Sequence, residues 1–278
     1  MLRSACLMAV LALAAFAGQA RAQAPAETRD PHAAADPRAS QDPHASQDPH
    51  ASPDPHASPD PRAALVKLLP AGTRVDDLVP SPIPGVYQLV QGAEVSYLTA
   101  DGKYYLDGNV YDMATRANLT EVLRARARVA LIAAVPETQM LIFSPKHPLY
   151  TITVFTDVDC QYCRKLHGDM AELNKLGVRV RYLFYPRTGP NTESWRKAEV
   201  VWCSADRNDT LTRAKAGGQL DMNKTCGPTP VAREYALGQS LGVRGTPAIV
   251  TESGDFINGY MPPRDLLQAI KQLQLAQR

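Results

Sequence analysis

Two cysteines three residues apart, Cys160 and Cys163 in the run Cys160-Gln161-Tyr162-Cys163, have the types and spacing that point most directly to chemistry. The β-branched stretch Tyr150–Thr156 runs into them and a helical pattern follows, so Cys160 is predicted at a helix N-terminus. Unpaired backbone N–H groups and the positive end of the helix dipole favour a thiolate there. Cys163 lies within the first turn, close enough to close a small disulfide ring. In such a pair an exposed, acidic thiol attacks a substrate disulfide, and the second thiol resolves the mixed disulfide if it stalls. The same spacing also fits half of a zinc site. Cys203 and Cys226 form no second pair of this kind, and the strand-to-helix setting favours redox chemistry, so no metal or other cofactor is expected.

The elements around this motif alternate. Strands are predicted at Tyr150–Thr156 and Val178–Phe184, with a helix over 161–175 between them that Gly177 closes. Helices follow at 194–205 and 231–241, then a hairpin of 248–251 with 255–258 around Gly254, and an amphipathic helix over 264–275. The order β-α-β-α…β-β-α implies an α/β sheet with helices on its faces. Upstream, a short helix at 63–69, a turn-rich connection through Pro80, Pro82 and Pro84, and strands at 86–90, 94–99 and 103–106 make a mostly β region. It is thin for an independent monomer. Residues 119–134 read as a connecting helix that ends before Pro136.

The first 22 residues read as an export signal. Arg3 precedes the apolar run Leu7–Phe16, and Ala20-Arg21-Ala22 supplies a small-x-small cleavage site. Cleavage would discard Cys6 and leave four cysteines, an even number that suits disulfide chemistry in an exported protein. No later apolar run is long enough to span a bilayer. Residues 23–62 repeat Asp-Pro every six residues, each followed by His or Arg (Asp30, Asp36, Asp42, Asp48, Asp54, Asp60). Frequent Pro and the lack of large apolar side chains predict an extended, mobile spacer. Its His32, His44, His50 and His56 cannot build a closed tetrahedral site while stiffened by Pro, so an inert linker is the favoured reading over loose Zn²⁺ or Cu²⁺ binding. The whole chain of 278 residues has 30 basic and 28 acidic side chains, a net +2. That argues against a generic nucleic-acid binder. The spacer, with seven acidic and three basic residues, carries −4, so the near-neutral total covers a more basic body.

Over 63–278 the sequence resembles the bacterial periplasmic disulfide isomerases of the DsbC/DsbG family, closer to DsbC. The residues that carry the resemblance are Thr151–His167 around the cysteine pair, Val180–Arg187, Ala236–Pro247 and Gly259–Pro263. The resemblance implies a homodimer. Residues 63–118 would be a cystatin-like α+β dimerisation domain, 119–138 a linker helix, and 139–278 a thioredoxin-fold α/β catalytic domain with a helical insertion. It implies that Cys160 is the nucleophile and Cys163 the resolving thiol. Thr246 and Pro247 would form a cis-proline loop whose backbone pairs with bound peptide. Cys203 and Cys226 would form a structural disulfide. A periplasmic location, misfolded exported proteins as clients, a membrane-bound thiol reductant and chaperone activity in the dimer cleft come with it.

Several positions need separate attention. Asp159 abuts the nucleophile where a neutral residue is expected, and its carboxylate is predicted to raise the Cys160 pKa. Gln161, which with Tyr162 lies between the cysteines and is expected to tune them, stands where the family's relatives carry Gly or Pro, so no redox potential carries over from them. Thioredoxins proper carry a buried acid where this chain has Val154. His167 is a tempting base, but a polar residue on the helix face is the favoured reading. Two other functions compete with isomerisation: reduction of sulfenylated single cysteines, as in DsbG, and a purely non-enzymatic chaperone.

Overall fold

The structure, a computed structural model, describes residues 60–276. The predicted signal and all but the last three residues of the predicted spacer lie outside them. Helix α1 (Arg62–Val66) leads into β1 (Leu78–Pro80), β2 (Val86–Gln91), β3 (Glu94–Thr99) and β4 (Tyr105–Asp107). These strands form one antiparallel sheet in sequential order. Leu78 pairs with Leu89, and Leu65 of α1 packs against them and Leu98 to make a small core. β1 had no counterpart in the sequence reading and ends at Pro80, the first proline of the predicted turn-rich connection. Its Pro80 sits at the sheet edge, where no ladder hydrogen bond is needed. All three residues of β4, the opposite edge, are exposed.

Helix α2 (Leu119–Ala133) starts at Asn118, whose side chain accepts from the Glu121 N–H. Two contacts tie it to the sheets on either side. Thr120 of α2 shares a 2.5 Å hydrogen bond with Tyr97 of β3. Arg128, buried, donates to the Gly254 carbonyl at 2.9 Å and lies over the Phe256 ring at 4.4 Å. A side chain on Gly254 would collide with the Ala125 backbone, so this close crossing needs glycine there.

The second sheet holds β5 (Leu141–Phe143), β6 (Tyr150–Thr156), β7 (Val178–Phe184), β8 (Ala248–Thr251) and β9 (Phe256–Asn258) in the order β5-β7-β6-β8-β9. β6 and β7 run parallel and every other pair is antiparallel. From Ile152 onward β6 is wholly buried, as a central strand covered on both faces must be. Ile152, Val154, Val180 and Tyr182 face one core with α3 (Gln161–Gly168), α4 (Met170–Lys175), α5 (Glu193–Trp202), α6 (Arg207–Lys215) and α8 (Pro263–Ala276). Phe155 and Leu183 face another, with residues of α2 and the end of α7 (Val231–Ser240). No helix among the described residues is long and apolar enough to cross a membrane.

Three expectations change. The single helix over 161–175 is two helices. It breaks at Asp169, after the weak helix former Gly168, where the carboxylate accepts from Tyr260 at 2.8 Å. β5 and α6 had no counterpart in the sequence reading. β5 is three residues long, and α6 is too polar to show an apolar stripe, although Asp206 caps it by accepting from the Asp209 N–H. The first helix also begins at Arg62, inside the stretch predicted as spacer.

Candidate active site

β6 delivers the chain to Cys160 through Asp157-Val158-Asp159, and α3 begins immediately after it. Cys160 is the N-cap of α3, and its Sγ accepts from the Cys163 N–H at 3.4 Å. Cys160 and Cys163 are a reduced dithiol. The Thr246–Pro247 peptide bond is cis. The loop it belongs to covers Cys160, whose Sγ donates to the Thr246 carbonyl at 3.1 Å. The exposed thiol of the sequence reading is therefore a covered one: Cys160 is 2% accessible, because this loop packs on it. Gln161 is exposed at the first turn of α3, and Tyr162 beside it is 59% exposed.

The electrostatics separate the two thiols. Cys160 is pulled down from 9.0 to about 5, chiefly by the S–H of Cys163, against the effect of burial. The Thr246 side chain, the Cys163 backbone N–H and the Arg187 charge add to the lowering. The Thr246 hydroxyl is buried with no hydrogen-bond partner among the described residues, which leaves it free to serve a thiolate. Burial drives Cys163 upward, and its bond to Cys160 adds to this. One thiol is therefore ionised at neutral pH, and its partner carries the proton that stabilises it.

The predicted effect of Asp159 is corrected. Its carboxylate accepts from Arg164 at 3.2 Å and from Lys197 at 2.9 Å. Two cations compensate the charge, and Asp159 is not among the leading influences on Cys160. His167, on α3, is a buried neutral side chain. Its Nδ1 contacts the Tyr182 hydroxyl at 3.3 Å and its Nε2 the Thr212 hydroxyl at 3.0 Å. Burial, with the Lys215 charge, pulls its pKa to about 4.

Three residues near the dithiol escaped the sequence reading. Asp157, 1% accessible, accepts from the Ser194 hydroxyl, the Asp159 and Arg187 N–H groups and the Arg187 guanidinium. Burial pushes its pKa up, but these bonds together hold it below the usual carboxylate value. Arg187 is thereby anchored where its charge reaches Cys160. Lys215, at the end of α6, is buried behind Cys163. Only Val180–Arg187 in the sequence hinted at Arg187, and nothing distinguished Lys215 from a surface lysine. Cys203 and Cys226 are bonded, with S–S 2.02 Å, and close a loop of sequence separation 23 that contains α6. Loop closure of that length is worth about 3 kcal/mol in the chain-entropy account. Among the described residues no three His, Cys, Asp or Glu converge as a metal would require.

An acidic thiol at a helix N-terminus, a second thiol one turn on and a cis-proline loop across from them, on a sheet of this order, define a thioredoxin-fold thiol–disulfide oxidoreductase. Residues 137–274 match the family model of a thioredoxin-like domain, and 39–121 match that of the disulfide bond isomerase protein N-terminal domain, which begins inside the predicted spacer. The chain is 35% identical over 205 residues to the thiol:disulfide interchange protein DsbC of Escherichia coli (strain K12), covering 73% of this chain and 84% of that protein. To DsbC of Dickeya dadantii (strain 3937) it is 37% identical over 198 residues, 70% and 80% of the two chains. It is also similar to the crystal structure of a disulfide interchange protein from Neisseria gonorrhoeae, with 26% identity, 50% of this chain and 97% of that one covered, and a TM-score of 0.45. The chain belongs to the DsbC family of thiol:disulfide interchange proteins and is a disulfide isomerase of the thioredoxin fold.

Proposed function

We propose that Cys160 opens wrong disulfides in exported proteins and that Cys163 resolves the mixed disulfide when the client does not. The observation that carries this assignment is the split between the thiols: Cys160 at about 5, Cys163 pushed upward. The Cys160 thiolate attacks one sulfur of a client disulfide, and the other client sulfur leaves as a thiolate. A different client thiol then displaces Cys160, which re-forms a disulfide in the client and leaves the enzyme reduced. Because Thr246 O accepts from the neutral thiol, ionisation frees that carbonyl for an extended client backbone to pair with. Tyr162 offers an exposed aromatic surface at the same edge. The Cys203–Cys226 bond is structural in this reading, since it lies outside the reacting pair.

Residues 63–118 pair two copies, 119–138 link, and 139–278 catalyse. The open edge of β4 supports the dimer. Beside it an apolar cavity of about 400 Å³ is lined by Ile83, Val86, Tyr97, Tyr104, Leu106 and Val110, among others. The site of action is the periplasm, with a membrane-bound thiol reductant keeping the pair reduced and the dimer cleft holding unfolded clients. Refolding of a scrambled, multi-disulfide substrate tests the assignment. Cys160→Ala is expected to lose disulfide reshuffling while still suppressing client aggregation. Reshuffling that survives the substitution would overturn it.

A further inference from the structure

We propose that Lys215 is a positioning residue for the resolving step: its buried ammonium, held at the end of β6 just before the dithiol, lowers the cost of the thiolate that Cys163 must become. The proposal rests on the roles assigned above to the two cysteines.

Lys215 is 4% accessible. Its Nζ donates to Thr156 Oγ1 at 2.9 Å and to the Asp157 carbonyl at 3.2 Å, both at the end of β6 just before the dithiol. The Tyr182 ring lies 5.8 Å away. No carboxylate among the described residues stands within ion-pair distance of it. A buried cation held only by neutral oxygens is costly, and chains retain few of them. Burial accordingly draws its pKa down to about 8, and the charges that oppose this are Cys163 first, then Cys160 and the Asp157 carboxylate. Arg164 acts in the opposite sense. His167 and the Tyr182 phenol, packed into the same space, are neutral, and Arg187 is a second cation whose charge reaches Cys163. In return the Lys215 charge is the leading electrostatic influence lowering Cys163, the thiol that burial most disfavours ionising. The buried acid that thioredoxins carry is replaced here by Val154. A cation approaching from α6, on the loop closed by Cys203–Cys226, takes up the problem of ionising Cys163 from the opposite charge.

In the step itself Cys160 is bonded to a client sulfur. Cys163 gives up its proton and attacks Cys160 Sγ. The Cys160–Cys163 bond forms as the Cys160–client bond breaks, and the electron pair leaves on the client sulfur, which takes a proton. Cys163 is oxidised and the client sulfur reduced, with no net change in protons. Lys215 holds its positive charge throughout, opposite the transient thiolate.

A stopped-flow reaction of the reduced full-length protein with an aromatic disulfide of coloured thiolate separates the two events. The first equivalent of colour reports attack by Cys160, and the second reports resolution by Cys163. For Lys215→Met the first phase is expected to keep the wild-type rate and its low-pH onset, which an unfolded chain with ordinary thiols would lose. The second phase is expected to slow at least tenfold near neutral pH, with its pH profile moved to higher pH. Lys215→Gln, which keeps donors for Thr156 and Asp157 without the charge, is expected to be slow as well. A second phase of wild-type rate and pH profile in Lys215→Met, or its recovery in Lys215→Gln, would overturn the proposal. Absence of the first phase in the wild-type protein would instead overturn the assignment of Cys160.

Discussion

Replacing Cys163 with Ala removes the group that does most to make Cys160 acidic, and the size of the effect can be worked out from the site. The substitution deletes the S–H, the leading cause of the lowered pKa, but keeps the backbone N–H that approaches Cys160 Sγ at 3.4 Å. A hydrogen bond to a charged group is worth about 1.5–3 kcal/mol. One pKa unit corresponds to about 1.4 kcal/mol. Cys160 should therefore rise by about one to two units from its value of about 5. The variant is well suited to the measurement, because Cys203 and Cys226 are bonded and leave Cys160 as the one free thiol among the described residues. Ultraviolet absorbance of the thiolate across a pH titration gives the pKa directly. The same shift has a consequence for stability. A thiol whose folded pKa lies below its unfolded value of 9.0 contributes stability that is present above pH 9 and is lost as the pH falls through about 5. Acidification through that window should cost the reduced wild type more than it costs Cys163→Ala. A Cys160 pKa that stays at about 5 in the variant would refute the reasoning and assign the thiolate to the Cys163 backbone N–H, Thr246 and Arg187 instead.

Two further predictions concern neighbouring charges. Asp159→Asn should leave the Cys160 pKa within about half a unit, because Arg164 and Lys197 already compensate the carboxylate; a fall of a full unit would mean that Asp159 acts on the sulfur unshielded. Glu234, buried on α7 and accepting from the Phe184 N–H at 2.6 Å, is raised by burial from 4.5 to about 8. Its contribution to stability is full below pH 4.5 and is lost as the pH rises through about 8, a change on the order of a few kcal/mol that Glu234→Gln should abolish. Thermal melting of both proteins across that range checks it, and parallel pH slopes would sink the idea.

Much of the working half of this chain can be read from local pattern. Tyr150–Thr156 and Val178–Phe184 were legible residue for residue, because strands buried on both faces are written as near-continuous β-branched and apolar runs. Cys160 at the start of a helix was legible for the same kind of reason: strand, dithiol and helix are contiguous. Short or polar elements were not, since three residues of β5 carry no period and α6 hides its buried Leu211 and Ala214 among charged neighbours.

The order and spacing of residues brought two thiols together at the start of a helix, and the fold alone decided how acidic they are and what surrounds them. Asp159 looked like a repulsive neighbour in sequence, yet Lys197, 38 positions away, neutralises it. Asp157 and Arg187 meet across 30 positions, and Lys215 reaches the end of β6 from 59 positions beyond Thr156. The physical reason is that secondary structure depends on contiguous residues. A thiol's ionisation depends on every charge and dipole within a few ångströms, and in a buried site those come from wherever the sheet and helices bring the chain back together.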